Sequence, residues 1–137
     1  MGKIVFDQEL LGVMRILSNL SRARVKDCFL EGDTYFIIVE KGDVGLMIAK
    51  GGMIIKKVKE RLRKNVKVIE YNENPVKFVR SLIYPTRVED ISLDDEQVLI
   101  KGGDRRINGL IFGRGGENLR WINKVVKRFF DVEVKVV

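Results

Sequence analysis

The sequence predicts an α+β protein made of two similar units in tandem, each a small sheet covered by helices. Three observations carry this. A glycine-centred segment occurs twice at a constant spacing, and the same order of helical and strand-like periods surrounds each copy. The chain has 137 residues, 45% of them hydrophobic, which fits one ordinary domain or two very small ones with enough apolar material for a packed core. Charge is high, at 33%, but mixed in sign, as in a folded chain rather than a disordered one.

The repeat is explicit. GLMIAKGGMIIKKV, starting at Gly45, aligns with GLIFGRGGENLRWI, starting at Gly109, at an offset of 64. Gly45, Leu46, Gly51 and Gly52 recur as Gly109, Leu110, Gly115 and Gly116. Lys50 is matched by Arg114, and the apolar Ile55 and Val58 by Leu119 and Ile122, the pattern of an internal duplication.

In the first copy, Asp7 suits a helix cap and Leu10, Val13, Met14, Leu17 and Leu20 follow at helical spacing, so a first helix runs to about residue 21. Residues 25–30 and 34–40 are β-rich and joined by Glu31-Gly32-Asp33, a turn composition. Residues 43–49 form a short helix, followed after the glycine pair by a longer one with Ile55, Val58 and Leu62 on its inner face. Residues 66–71 close the copy as a strand.

The second copy opens on Asn74-Pro75, a cap followed by proline at the first helical position, with Val76, Val79, Leu82 and Ile83 as the apolar face. Pro85 stops this helix. Residues 86–93 and 97–101 read as strands, 104–112 as a helix, and 116–130 as a helix with Leu119, Ile122, Val126 and Phe129 inward. Residues 132–137 end the chain in a strand. Each unit, at about 70 residues, lies near the lower limit for an independent core, so the two are expected to pack on each other.

Missing residues narrow the function. The chain contains no histidine, which removes the commonest general base, the serine triad, the cysteine-histidine dyad and nearly all zinc chemistry. Cys28 is the only cysteine, so an intrachain disulfide or thiolate cluster cannot form. The acidic cluster Asp94-Asp95-Glu96 sits between two strand-like runs, where a solvated turn is expected. A Walker loop is absent, and Asn118 occupies the third glycine place of the dinucleotide fingerprint. No enzyme and no cofactor are expected. No membrane span or signal peptide is apparent either, which reads as a cytoplasmic protein without a membrane partner.

Charge is concentrated where the repeat lies. The formal net charge is +7. Residues 44–67 carry Lys50, Lys56, Lys57, Lys59, Arg61, Arg63, Lys64 and Lys67 against Glu60 alone. Residues 101–128 carry Lys101, Arg105, Arg106, Arg114, Arg120, Lys124, Lys127 and Arg128 against Asp104 and Glu117. A single charge run is usually a solvated helix face, but two runs at two copies of one motif point to a polyanion.

The motif itself is a tight G-x-x-G turn between helices. Without Cβ atoms the backbone admits a nucleic-acid strand closely, and the following helix offers N–H groups and its positive dipole end. The second copy is complete as Gly113-Arg114-Gly115-Gly116; the first reads Ala49-Lys50-Gly51-Gly52, with alanine replacing the first glycine. Each is preceded by an apolar residue, Ile48 or Phe112, and followed three residues on by Ile55 or Leu119. Alanine there is harmless if the residue stays helical and costly if it needs a positive φ.

On these residues the chain resembles the K-homology (KH) RNA-binding domain of type II, present twice. The junction NPVKFVRSLIYPTRVEDISLDD followed by GLIFGRGGENLR resembles, more narrowly, the NusA-like transcription elongation and termination factors, in a compact archaeal form. The resemblance implies tandem type II KH domains over residues 1–72 and 73–137, each a three-stranded mixed sheet covered on one face by three helices. It implies single-stranded RNA across both units, its backbone clamped by Ala49, Lys50, Gly51 and Gly52 and by Gly113, Arg114, Gly115 and Gly116. Bases would lie beside Ile48, Ile54, Leu110 and Phe112, with Glu117 and Asn118 reaching their edges. Lys50, Lys56, Lys57, Arg114 and Arg120 are the candidate phosphate contacts. RNA polymerase or ribosomal components are the further partners it implies. A ribosomal RNA-binding or ribosome-assembly factor, or a protein-binding scaffold using the first unit with its Ala49, are the competing roles.

Trp121 falls beside the apolar face of its helix, where its ring either stacks on a base or packs at the seam between units. Cys28 reads as a small core residue. Phe6, Tyr35, Phe36, Phe78, Phe129 and Phe130 are expected in the core or an interface.

Overall fold

The computed structural model describes residues 8–20 and 22–137, and of 8–10, 13, 18, 20 and 49–51 the backbone course only. Asp7 and Phe6 lie outside the described residues. One compact unit ends at Tyr71, and the other runs from Asn72 to Val137.

The first unit contains α1 (Gln8–Leu20), β1 (Val25–Glu31), β2 (Thr34–Val39), α2 (Val44–Leu62) and β3 (Asn65–Glu70). β1 and β2 are antiparallel, with Cys28 opposite Ile37 and Phe29 opposite Phe36. β2 and β3 run parallel, with Ile37 opposite Val68, so the sheet is mixed and ordered β1-β2-β3. Alternate residues Tyr35, Ile37 and Val39 join Cys28 beneath the helices, meeting Leu17 of α1 and Met47, Ile54 and Val58 of α2 in one buried cluster. Burial pushes the Cys28 thiol up to about 12, as befits a core residue rather than a reactive one.

The helical part departs from expectation. In place of a short helix, a glycine loop and a second helix, α2 spans Val44 to Leu62 with a left-handed residue inside it, Gly52 at φ 76°, and the described residues of the unit form two helices where three are expected. Its inner face is Met47, Ile54 and Val58, one helical stripe at i, i+7 and i+11, while Ile55 and Leu62 are half-buried. Alanine is the best helix former and disfavours the left-handed region, which suits residue 49 to helical backbone where the second unit's Gly113 ends its helix. Ile54 is core, 7% exposed, and not a wall of an outer groove.

The second unit contains α3 (Pro75–Ile83), β4 (Asp90–Asp94), β5 (Gln97–Lys101), α4 (Arg105–Phe112), α5 (Glu117–Val126) and β6 (Glu133–Val136). Asn74 caps α3 as its sequence suggests, its Oδ1 accepting from the N–H of Val76 at 2.9 Å. β4 and β5 are antiparallel, β5 and β6 parallel, again a mixed three-stranded sheet. Ile91, Val98, Ile100 and Val134 are buried with Phe78, Val79, Leu82, Ile111, Ile122, Val125 and Val126 from the three helices. The opposite face of β4 and β6 carries the exposed Ser92 and Lys135, which flank Leu99 of β5.

Two boundaries move. The strand expected over 86–93 begins only at Asp90, opposite Lys101, because β5 ends there and Gly102-Gly103 turns away with Gly103 at φ +101°. The helix expected over 116–130 ends at Val126, where Arg128 and Phe129 donate to the carbonyls three residues back and tighten the chain into a turn. Phe129 and Phe130 then pack on Phe78, with ring centroids 5.5 and 5.6 Å away. Asp95 and Glu96 form the expected hairpin turn. Among the described residues, no helix is long and apolar enough to cross a membrane.

Candidate nucleic-acid interface

In the second unit the glycine motif forms an open elbow. Asp104 caps α4, accepting from the N–H of Ile107 at 2.8 Å, and the helix stops at Gly113 with φ 79° and ψ 171°. That conformation belongs essentially to glycine. Space demands glycine as well, since a Cβ on residue 113 would sit 2.5 Å from Asn118 Cβ and 2.7 Å from its backbone nitrogen. Arg114–Gly116 make a single 3-10 turn, with Gly115 at φ 61° and Gly116 at φ 79°, and α5 starts at Glu117. No side chain caps the first turn of α5, the arrangement in which helix-end N–H groups serve an anion.

Side chains hold this elbow in shape. The Asn118 amide donates to the carbonyls of Ile111 at 2.9 Å and Leu110 at 3.2 Å, the last turn of α4. Its Oδ1 accepts from the indole N–H of Trp121. Arg120 Nη1 donates to the Gly115 carbonyl at 2.7 Å and remains exposed. Asn118 is thus bonded at both ends of its amide within the elbow, a role that helical periodicity does not reveal. Trp121 is half-buried on it.

In the first unit the matching residues lie within α2. Ala49, Lys50 and Gly51 continue the helix, and Gly52, at φ 76°, leaves it, at the position matched by Gly116. Residues 54 and 57, where the second unit has Asn118 and Trp121, are Ile54 and Lys57.

Around each motif the outer surface is apolar and cationic. Ile48 and Phe112, at matched positions, are 53% and 46% exposed, and Leu46 and Leu110, also matched, are 41% and 53% exposed. Large apolar side chains are thus left in solvent at the same two places in both units. Lys56, Lys57, Arg114, Glu117 and Arg120 are exposed as well.

A pair in the first unit is not apparent from the sequence. Asp43, at the start of α2, accepts from the backbone N–H of Arg24 at 2.8 Å and from its guanidinium at 3.0 and 3.4 Å. The guanidinium holds the Asp43 carboxyl below the usual carboxylate range, and Arg24 is raised in turn. The two residues are 19 apart in sequence, so spacing offers no clue to the pairing.

No family model matches the chain. It is 28% identical over 141 residues to the probable transcription termination protein NusA of Methanocaldococcus jannaschii, covering 100% of this chain and 77% of that one. It is 23% identical to the proteins of the same name from Thermoplasma acidophilum and Halococcus morrhuae, covering 96% of this chain and 94% and 96% of theirs. Among solved structures, the crystal structure of APE1850 superposes with a TM-score of 0.73 at 24% identity, over 96% of this chain and 100% of that one, a likeness of fold. Over nearly its whole length the chain resembles archaeal NusA.

Proposed function

We propose that this chain, like the transcription termination proteins it resembles, is a transcription elongation and termination factor, and that it works by binding single-stranded RNA through two type II KH units. The observation that carries this reading is the repeated glycine motif, flanked in both units by exposed apolar residues at matched positions and by cations.

The chemistry follows from those groups. A phosphodiester enters the elbow at Gly113, Arg114, Gly115 and Gly116, where backbone N–H groups and the positive end of α5 meet its charge. Arg114 and Arg120 add cations, and Phe112 and Leu110 offer apolar surface to the bases, with Glu117 at the rim. In the first unit Ala49, Lys50, Gly51 and Gly52 receive the strand through Gly52 and the Lys50 charge, with Lys56 and Lys57 beside them and Ile48 against a base. Asn118 serves by holding the elbow. Nothing in this scheme needs a cofactor or a bond-making residue, so the action is binding, with RNA polymerase the protein partner suited to such a factor.

Filter binding of a short single-stranded RNA tests the reading. A KH loop clamps about four nucleotides, and single strands lose affinity with a log–log slope of about −0.7 per phosphate, so one clamp gives a slope near −3. Gly115→Asp puts an acid against the phosphate at a position where a new Cβ meets nothing within 4 Å; the φ of 61° strains any side chain, and aspartate is among the residues that visit this region most often. Affinity should fall about tenfold or more with the fold intact. Unchanged affinity in Gly115→Asp combined with Gly51→Asp refutes the clamp.

A further inference from the structure

The elbow of the second unit differs from its counterpart by a set of hydrogen bonds, and these bonds form a chain. Trp121 donates to Asn118, Asn118 donates to the carbonyls of Leu110 and Ile111, and the Cβ of Asn118 packs where Gly113 has no side chain. The link therefore fastens the start of α5 to the end of α4 across the glycines. We infer that Trp121 is a positioning residue for RNA binding: through Asn118 it holds the elbow open in the shape that receives a phosphodiester, and it does not itself stack on a base.

Three physical points support this. An asparagine amide can turn over, and only one of its two orientations puts the NH2 group on the Leu110 and Ile111 carbonyls. The indole N–H, a donor and never an acceptor, selects that orientation by claiming Oδ1. Three glycines at positive φ in four residues give the elbow many accessible shapes, so an external tie lowers the ordering cost of binding. The tie is half-buried, and hydrogen bonds there are stronger than in open water. The first unit has Ile54 and Lys57 at the matched places and cannot build the tie.

This inference rests on the RNA-binding reading, and the experiment separates the two. RNA affinity is measured for the full chain and for Gly115→Asp, Trp121→Phe, Asn118→Ala and the double variant Trp121→Phe with Asn118→Ala, with melting temperature and amide exchange at 113–116 recorded for each. Gly115→Asp reports on the clamp: if it binds RNA as the parent does, the RNA-binding reading fails first. If it loses affinity, the tie predicts a roughly five- to tenfold loss in Trp121→Phe and a somewhat larger one in Asn118→Ala. The double variant should be no weaker than Asn118→Ala, because Trp121 acts through Asn118. Elbow amides should exchange faster in Trp121→Phe at a nearly unchanged melting temperature, which a general loss of fold would not produce. Parent-like affinity in Trp121→Phe, whose ring still stacks, overturns the inference, as do additive losses in the double variant. Trp121 is the only tryptophan, so its fluorescence gives a second readout: strong quenching by bound RNA would also overturn it in favour of stacking.

Discussion

The two glycine motifs share their last two glycines and a cation before them, yet one opens into an elbow and the other lies within a helix of 19 residues that departs from helical backbone at Gly52. The difference comes down to a few atoms. At Gly113 the backbone adopts φ 79° and ψ 171° against Asn118; at the matched place stands Ala49, within the span of α2, and the counterpart of Asn118 is Ile54, drawn into the core. A repeated motif thus keeps its charges and glycines while its backbone, the part that would meet phosphate, diverges. Similarity of residues at a motif is a weaker guide than the conformations those residues permit.

That contrast can be broken from either side. Gly113→Ala carries the largest expected effect: the new Cβ collides with Asn118 and the φ is strained, so the second unit should lose about 3 kcal/mol in a denaturant melt, and RNA affinity should fall with it. The converse change, Ala49→Gly, sharpens the comparison. It should cost about 1 kcal/mol of helix stability while raising RNA affinity severalfold, as the first motif gains the freedom of the second. A gain in stability with no change in affinity would show that Ala49 is not what keeps α2 closed.

The smallest expected effect concerns how the two central helices begin. Asp104 caps α4 with its own carboxylate, whereas Asp43 makes no such cap and is held by Arg24. Because the folded Asp43 carboxyl titrates below its ordinary value, its contribution is complete above the usual carboxylate range and is lost as pH falls through the lowered value. Acid melts of the parent should therefore show a modest loss of stability there that Asp43→Asn lacks. An identical acid profile in the two proteins would remove the role given to this pair.

Much of the fold is legible in the sequence because it is local. Asn74-Pro75 starts α3, Gly32 and Asp95 sit in the hairpin turns at positive φ, and the offset of 64 sets the two sheets in the same order. What escapes is non-local or conditional. The burial of Ile54 in the core, where the second unit has the half-buried Asn118, is a tertiary outcome that apolar spacing alone leaves open. The ends of β4 and α5 depend on where their partners stop. At the candidate site, the glycines and cations stand out as composition, whereas the Trp121–Asn118 tie and the Arg24–Asp43 pair are hydrogen-bond partnerships with no period to betray them.

The most direct test of the central claim is a backbone-amide NMR titration of the protein with a short single-stranded RNA. The account predicts saturable shifts at Gly115, Gly116 and Glu117, weaker ones at Gly52 and Met53, and none at Ser92, Leu99 and Lys135 on the outer face of the second sheet. Shifts concentrated on that outer face, with the glycine elbow silent, would contradict it.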